Sequence, residues 1–248
     1  MSAFNPFSNS AIGWLTVWSN TRLLTMSPGP ALARRLAGAG HDVFALGSTE
    51  DETSQLARLG DVTALWARFE ALPVGTCEFD TVTIHQRFHT LDANMALSEI
   101  ARVLRPGGCL SASYIIRDDS VPWVRRLAAV LRNYDPTAMQ GDYGQHSLAA
   151  LERNKYFPEV EQRAFRIWQE IDGAGLLAMV SRQPLWRNLD EGQRATLSEQ
   201  VMDVFQSSVR PGDQLRLPYQ LLCVRAFVDH DELTASVAAV ESAINILM

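Results

Sequence analysis

Cysteine is scarce in this chain: Cys77, Cys109 and Cys223 are all there is, with no C-x-x-C pair. An odd, scattered set reads as reduced thiols and argues against a disulfide framework or a thiolate metal site. Lysine is scarcer still. Lys155 stands alone among 22 basic residues, and the arginines that make up the rest form no block. With a formal net charge of −6, that distribution makes nucleic acid a poor partner. Long apolar runs are missing as well. The longest, 217–228, is broken by Pro218 and Arg225 and falls short of the roughly 18–20 residues that cross a bilayer. No lysine or arginine precedes Arg22, so no secretory leader is expected and the cytoplasm is the expected compartment. The five histidines have no metal-ligand spacing, so no metal site is expected.

What the 248 residues do contain is 47% apolar and 20% charged side chains, enough to build a large core and unlike a disordered or coiled-coil chain. Short apolar runs at Arg22–Met26, Asp42–Leu46, Asp61–Leu65, Phe79–Ile84 and Cys109–Ile116 read as strands. Between them, Ala31–Ala39, Thr49–Leu59 and Asn94–Leu104 repeat at helical spacing. Gly40 suits a helix end, and Arg105-Pro-Gly-Gly108 stops the helix before it. Strands alternating with helices of about ten residues predict βαβ units and a largely parallel, Rossmann-like sheet.

The flanks are less regular. Ala11–Ser19 reads as a short amphipathic helix, Val121–Leu131 and Leu189–Ser207 as helices, and Val160–Trp168 and Tyr219–Val228 as strands. Leu233, Val237, Val240, Ile244 and Leu247 fall on one helical stripe, a candidate homodimer contact. Trp14, Trp18 and Trp66 read as core or groove-lining residues. His41 reads as a structural histidine in a turn.

Several motifs carry a resemblance. Glu99–Gly108, with Phe79-Asp80 ahead of it, resembles the class I S-adenosylmethionine-dependent methyltransferases of the type 11, small-molecule branch. Ala33–Ala37, Gly40–Val43, Phe69–Pro73, Phe88-His89, Arg117–Val124 and Leu217–Tyr219 extend the match to about Val228. The resemblance implies an α/β, Rossmann-like fold with a mostly parallel seven-stranded sheet, flanking helices and an antiparallel final strand. It implies a methyltransferase-like domain over 1–228, with an N-terminal helical segment at 1–21 and a helical elaboration at 118–215. A C-terminal amphipathic helix follows at 229–248.

By the same resemblance the cofactor is S-adenosylmethionine, and the family positions around it are Thr25, Ser27, Gly29, Ala31, Gly47, Ser48, Arg68, Phe69 and His85. Four departures fall on them. The acid that ends the family's first strand is Thr25 here. Of the glycine-rich turn only Gly29 remains, with Ser27 and Ala31 in place of the others and two prolines beside it. The family's ribose-binding acid at the end of the second strand is Gly47, and its adenine reader is Arg68, which offers only donors. Tyr and Arg-Pro elements that cover the cofactor in relatives are missing from the N-terminal segment. These departures from the family pattern imply a pseudo-methyltransferase acting by binding a protein partner or another small ligand. The alternative is a working methyltransferase on a small acceptor, with His89 as base and Arg117 and Tyr219 in the substrate pocket. On this view, an aspartate restored at 47 should return the most affinity.

Overall fold

The computed structural model describes residues 6–139, 145–210 and 213–231. In chain order the elements are α1 (Asn9–Thr16), β1 (Arg22–Met26), α2 (Pro30–Ala37), β2 (Asp42–Gly47), α3 (Glu50–Ala57), β3 (Thr63–Trp66), β4 (Phe79–His85) and α4 (Ala93–Val103). They continue as β5 (Leu104–Arg117), α5 (Pro122–Arg132), α6 (Ala149–Glu152), β6 (Glu159–Ile171), α7 (Gly173–Ser181), α8 (Pro184–Arg187), α9 (Glu191–Gln206) and β7 (Leu215–Phe227). The strands form one seven-stranded sheet in the order β3-β2-β1-β4-β5-β7-β6.

β1 pairs in parallel with β2 and β4, β2 with β3, and β4 with β5. Parallel strands covered on both faces are buried along their length instead of alternating, and β1 and β4 are buried almost without alternation, threonines included. β7 runs the other way. The Val228 amide donates to the Gly108 carbonyl at 2.9 Å and the Asp118 amide to the Pro218 carbonyl at 3.0 Å, so residue numbers fall along one strand as they rise along the other. The chain thus has the antiparallel final strand that the resemblance implies.

Differences from the expected boundaries have local causes. β5 starts five residues earlier than expected, at Leu104, because the Arg105–Gly108 turn joins the sheet through a register shift against β4 between Phe79 and Thr81. α7 opens with Gly173-Ala-Gly175, which hides its helical period; the Asp172 carboxylate accepts from the Gly175 amide at 2.7 Å and starts it. The stripe at Leu233–Leu247 lies outside the described residues.

The chain divides into two compact units. Among the described residues, one comprises 6–114, 145–165 and 221–231, the other 115–139, 166–210 and 213–220. In the second, Val124, Leu127 and Leu131 of α5 join Leu176 and Val180 of α7 and Leu197 and Val201 of α9 in one buried cluster. In the first, α1 packs on β4 and β5 through polar contacts. The Ser111 hydroxyl donates to the Leu15 carbonyl at 2.6 Å and the Thr81 hydroxyl to the Thr16 carbonyl at 3.1 Å, satisfying the last turn of the helix from the sheet. Trp18 and Trp66 are not core residues, being 42% and 64% exposed. His41 is buried, its Nδ1 2.8 Å from the Thr21 hydroxyl, and burial lowers its pKa.

Candidate functional site

Ligands of open α/β sheets bind beyond the carboxyl ends of the strands, where β1, β2 and β4 finish here. After β1, Ser27 takes φ +44°, a left-handed conformation that favours glycine. Its amide donates to the Leu46 carbonyl at 2.7 Å, so the glycine-like turn persists without the glycine. Gly29 then caps α2 with φ −64°, which any residue can adopt, and a Cβ there would meet nothing within 4 Å. Pro30 follows at the first helical position and Ala31 is exposed in the first turn.

β2 ends at Gly47, and here glycine is a packing requirement. A Cβ on Gly47 would lie 2.4 Å from the Thr53 Oγ1 and 2.7 Å from the Thr53 backbone nitrogen. α3 leans so closely on the strand end that no side chain fits. The same helix delivers a carboxylate that sequence reasoning missed. Glu52 Oε2 accepts from the Ser48 amide at 2.9 Å, the Ser48 hydroxyl at 2.8 Å and the Ser27 hydroxyl at 3.1 Å. Its Oε1 accepts from the Arg87 guanidinium, beyond β4, at 3.0 Å. Burial raises the Glu52 pKa, but the Ser48 amide, the two serine hydroxyls and Arg87 together outweigh it and hold the carboxyl below its ordinary value. Thr49-x-x-Glu52 is a capping-box pattern, which was the one signal available. Thr49 does cap Glu52 at 3.2 Å, but Glu52 reaches past it to Ser48 and Ser27.

Beneath this edge the Thr25 and Thr83 hydroxyls, register partners on β1 and β4, are buried with no hydrogen-bond partner. His85 ends β4 with its Nδ1 3.0 Å from the Ser113 hydroxyl and its ring edge-on to Phe7 at 4.8 Å. Burial pushes its pKa down to about 4, against a smaller upward pull from Ser113, so it is neutral at pH 7. His89 lies four residues on, exposed. Its amide donates to the Tyr114 hydroxyl at 3.0 Å and its Nδ1 is 3.3 Å from the same oxygen, which also meets the Ser147 hydroxyl at 3.3 Å.

The remaining expected residues do not join this cluster. Arg68 is exposed and 3.8 Å from Glu70, and Phe69 is half-buried beside it in the turn. Arg117 and Tyr219 belong to the other unit. There Arg117 grips Asp119 through two nitrogens, at 2.5 and 3.1 Å, and donates to the Met139 carbonyl at 2.8 Å. Tyr219 packs against the cluster of α5, α7 and α9. Among the described residues, no group of three or more His, Cys, Asp and Glu side chains could hold a metal. None of the described helices is long and apolar enough to cross a membrane.

The strand order and this edge define a class I methyltransferase-type fold. A putative type II methyltransferase from Anaeromyxobacter dehalogenans shares it at TM-score 0.67 and 20% identity, over 91% of this chain and 98% of that one. The YcgJ protein of Bacillus subtilis does so at TM-score 0.51 and 14% identity, over 88% and 95%. Residues 29–112 match the family described as Methyltransferase domain. Uncharacterized methyltransferases of Mycobacterium tuberculosis and Mycobacterium bovis are 36% identical over 129 residues, 51% of this chain and 53% of theirs. The chain therefore spans about half the length of the curated relatives it matches. Over residues 29–112 the chain is similar to that methyltransferase domain, and its fold is that of the class I S-adenosylmethionine-dependent methyltransferases.

The family's cofactor can be tested against these residues. A carboxylate cannot stand at Gly47, the one at Glu52 already accepts four bonds from its own chain, and Thr25 offers a hydroxyl in place of an acid. The residues present do not fit S-adenosylmethionine held in the family's manner.

Proposed function

We propose that this chain is a methyltransferase-fold protein whose cofactor edge has been turned into an internal polar cluster, and that it acts by binding a protein partner or another small ligand. One observation carries this reading. The Glu52 carboxylate at this edge spends its acceptor capacity on Ser27, Ser48 and Arg87, so a ligand must break bonds of about 1.5–3 kcal/mol each to use it. The buried thiols of Cys109 and Cys223, pushed up to about 11 and about 12 mainly by burial, suit a reducing, cytoplasmic setting. Calorimetry and thermal melting with S-adenosylmethionine and S-adenosylhomocysteine test it. Neither ligand is expected to bind saturably or to raise the melting temperature. Saturable micromolar binding, with stabilisation near 2.7 kcal/mol at about 100 times the dissociation constant, would overturn it.

A second reading, a working methyltransferase with a rebuilt pocket, is favoured by His89. Tyr114 holds both its amide and its Nδ1, an arrangement that could orient the ring as a base toward a small acceptor.

A further inference from the structure

At the opposite edge of the sheet, where β1, β4 and β5 begin, a cavity of about 420 Å³ is lined by Trp18, Asn20, Asp80, Arg105, Pro106 and the two glycines after it. Small-molecule pockets have this size, with apolar walls and a few polar groups. Trp18 reaches the cavity against local backbone preference. Its amide donates to the Thr16 carbonyl at 2.7 Å across Val17, a β-branched residue at φ +63° and ψ −55°, which is a tight turn of the rare, strained kind. The turn follows α1 and leaves the indole 42% exposed, with Phe227 edge-on to it at 6.4 Å. Strain of this sort persists only where the surroundings fix it, and it clusters at ligand sites. The polar groups of the cavity are unequal. Asp80 is satisfied, its Oδ2 accepting from the Arg22 amide at 2.8 Å and its Oδ1 from Arg105 at 2.6 Å. Arg105 gives only that bond among the described residues, so the other N–H groups of its guanidinium, on a side chain 48% exposed, are spare.

We propose that this cavity binds a flat aromatic carboxylate, with its ring against the Trp18 indole and its carboxylate on Arg105. The spare charged capacity is a donor's, which selects an anion over a cation. Trp18 and the Pro106 ring supply apolar faces, and Gly107 and Gly108 add no side chain to the space a flat ring needs. Asp80 holds one N–H of Arg105 and offsets part of its charge, so affinity in the millimolar range is expected. The site lies away from the carboxyl edge where ligands of open α/β sheets bind. It goes beyond the reading above and stands whether or not S-adenosylmethionine binds.

Ligand-observed NMR titration, which reads millimolar affinities, tests it with 2-naphthoate and with 2-naphthamide as the uncharged counterpart. The unaltered chain should bind naphthoate saturably and about tenfold more tightly than naphthamide, the factor that about 1.4 kcal/mol represents. Arg105→Gln should erase that preference, and Arg105→Lys should keep part of it. Trp18→Ala should weaken both probes about tenfold. A second measurement needs no destabilising change: with 5-fluorotryptophan incorporated, the Trp18 fluorine resonance, assigned by its absence in Trp18→Phe, should shift as naphthoate is added. No saturable binding, equal affinity for the two probes, a preference that survives Arg105→Gln, or full affinity in Trp18→Ala overturns the proposal. So does a Trp18 resonance that stays in place while naphthoate binds. Saturable binding of S-adenosylmethionine would overturn the earlier reading and leave this one standing.

Discussion

At Gly47 a missing side chain reports a close contact, and this reverses what the family pattern implies. A restored aspartate was expected to recover affinity, yet any Cβ there falls 2.4 Å from Thr53 Oγ1. Gly47→Ala and Gly47→Asp should each destabilise by about 1–3 kcal/mol through overpacking, seen as a lower midpoint in urea, and Gly47→Asp should gain no S-adenosylmethionine affinity. Trimming the obstacle with Thr53→Ala should recover only part of the stability, because the Thr53 backbone nitrogen still lies 2.7 Å from the new atom. The opposite sign is expected at Thr25 and Thr83. Their hydroxyls are buried without partners, and an unsatisfied buried polar group costs about 1–3 kcal/mol. The isosteric Thr25→Val and Thr83→Val should therefore raise the melting temperature. The pair should depart from additivity because the residues are register partners.

Elements show the same mixture of local and distant causes. β1 was legible to the residue because its run of apolar side chains is bounded by polar turns, and because a parallel strand buried on both faces needs nothing else. α4 was legible to within a residue, running Ala93–Val103 against an expected Asn94–Leu104, with Leu97, Ile100 and Ala101 buried as their spacing implies and Ala96 and Val103 buried beside them. α7 was not, since glycines at 173 and 175 blur its period and its start depends on Asp172. The β4 end yields a pH prediction. His85 titrates at about 4 in the folded chain, mainly because it is buried, against about 6.5 when unfolded. The unfolded state therefore binds the extra proton between these values, so stability falls as pH drops from about 6.5 toward 4. His41, also lowered by burial, acts in the same direction. Urea midpoints should drop between pH 7 and pH 5, and His85→Gln, which keeps a partner for Ser113, should shrink that drop. An unchanged drop would assign it wholly to other groups.

Across the whole molecule, thiol accessibility offers a direct check on the packing. Cys109 and Cys223 are buried, whereas Cys77 is half-buried. A maleimide at neutral pH should label one thiol in the native chain and all three in urea; rapid native labelling of Cys109 or Cys223 would contradict the packing of β5 and β7. The sequence by itself determined the alternation of strand and helix, the sheet's class and the positions where the chain departs from the pattern of the family it resembles. Apolar periodicity and turn residues act over a few neighbours, and that is the range over which a sequence can be read. Only the tertiary structure decided what stands around those positions. Ser27, Ser48, Glu52 and Arg87 come from the ends of β1 and β2, the first turn of α3 and the loop after β4. Nothing in local spacing brings those four together, because their meeting depends on how closely α3 settles on Gly47, a distance set by packing and not by pattern.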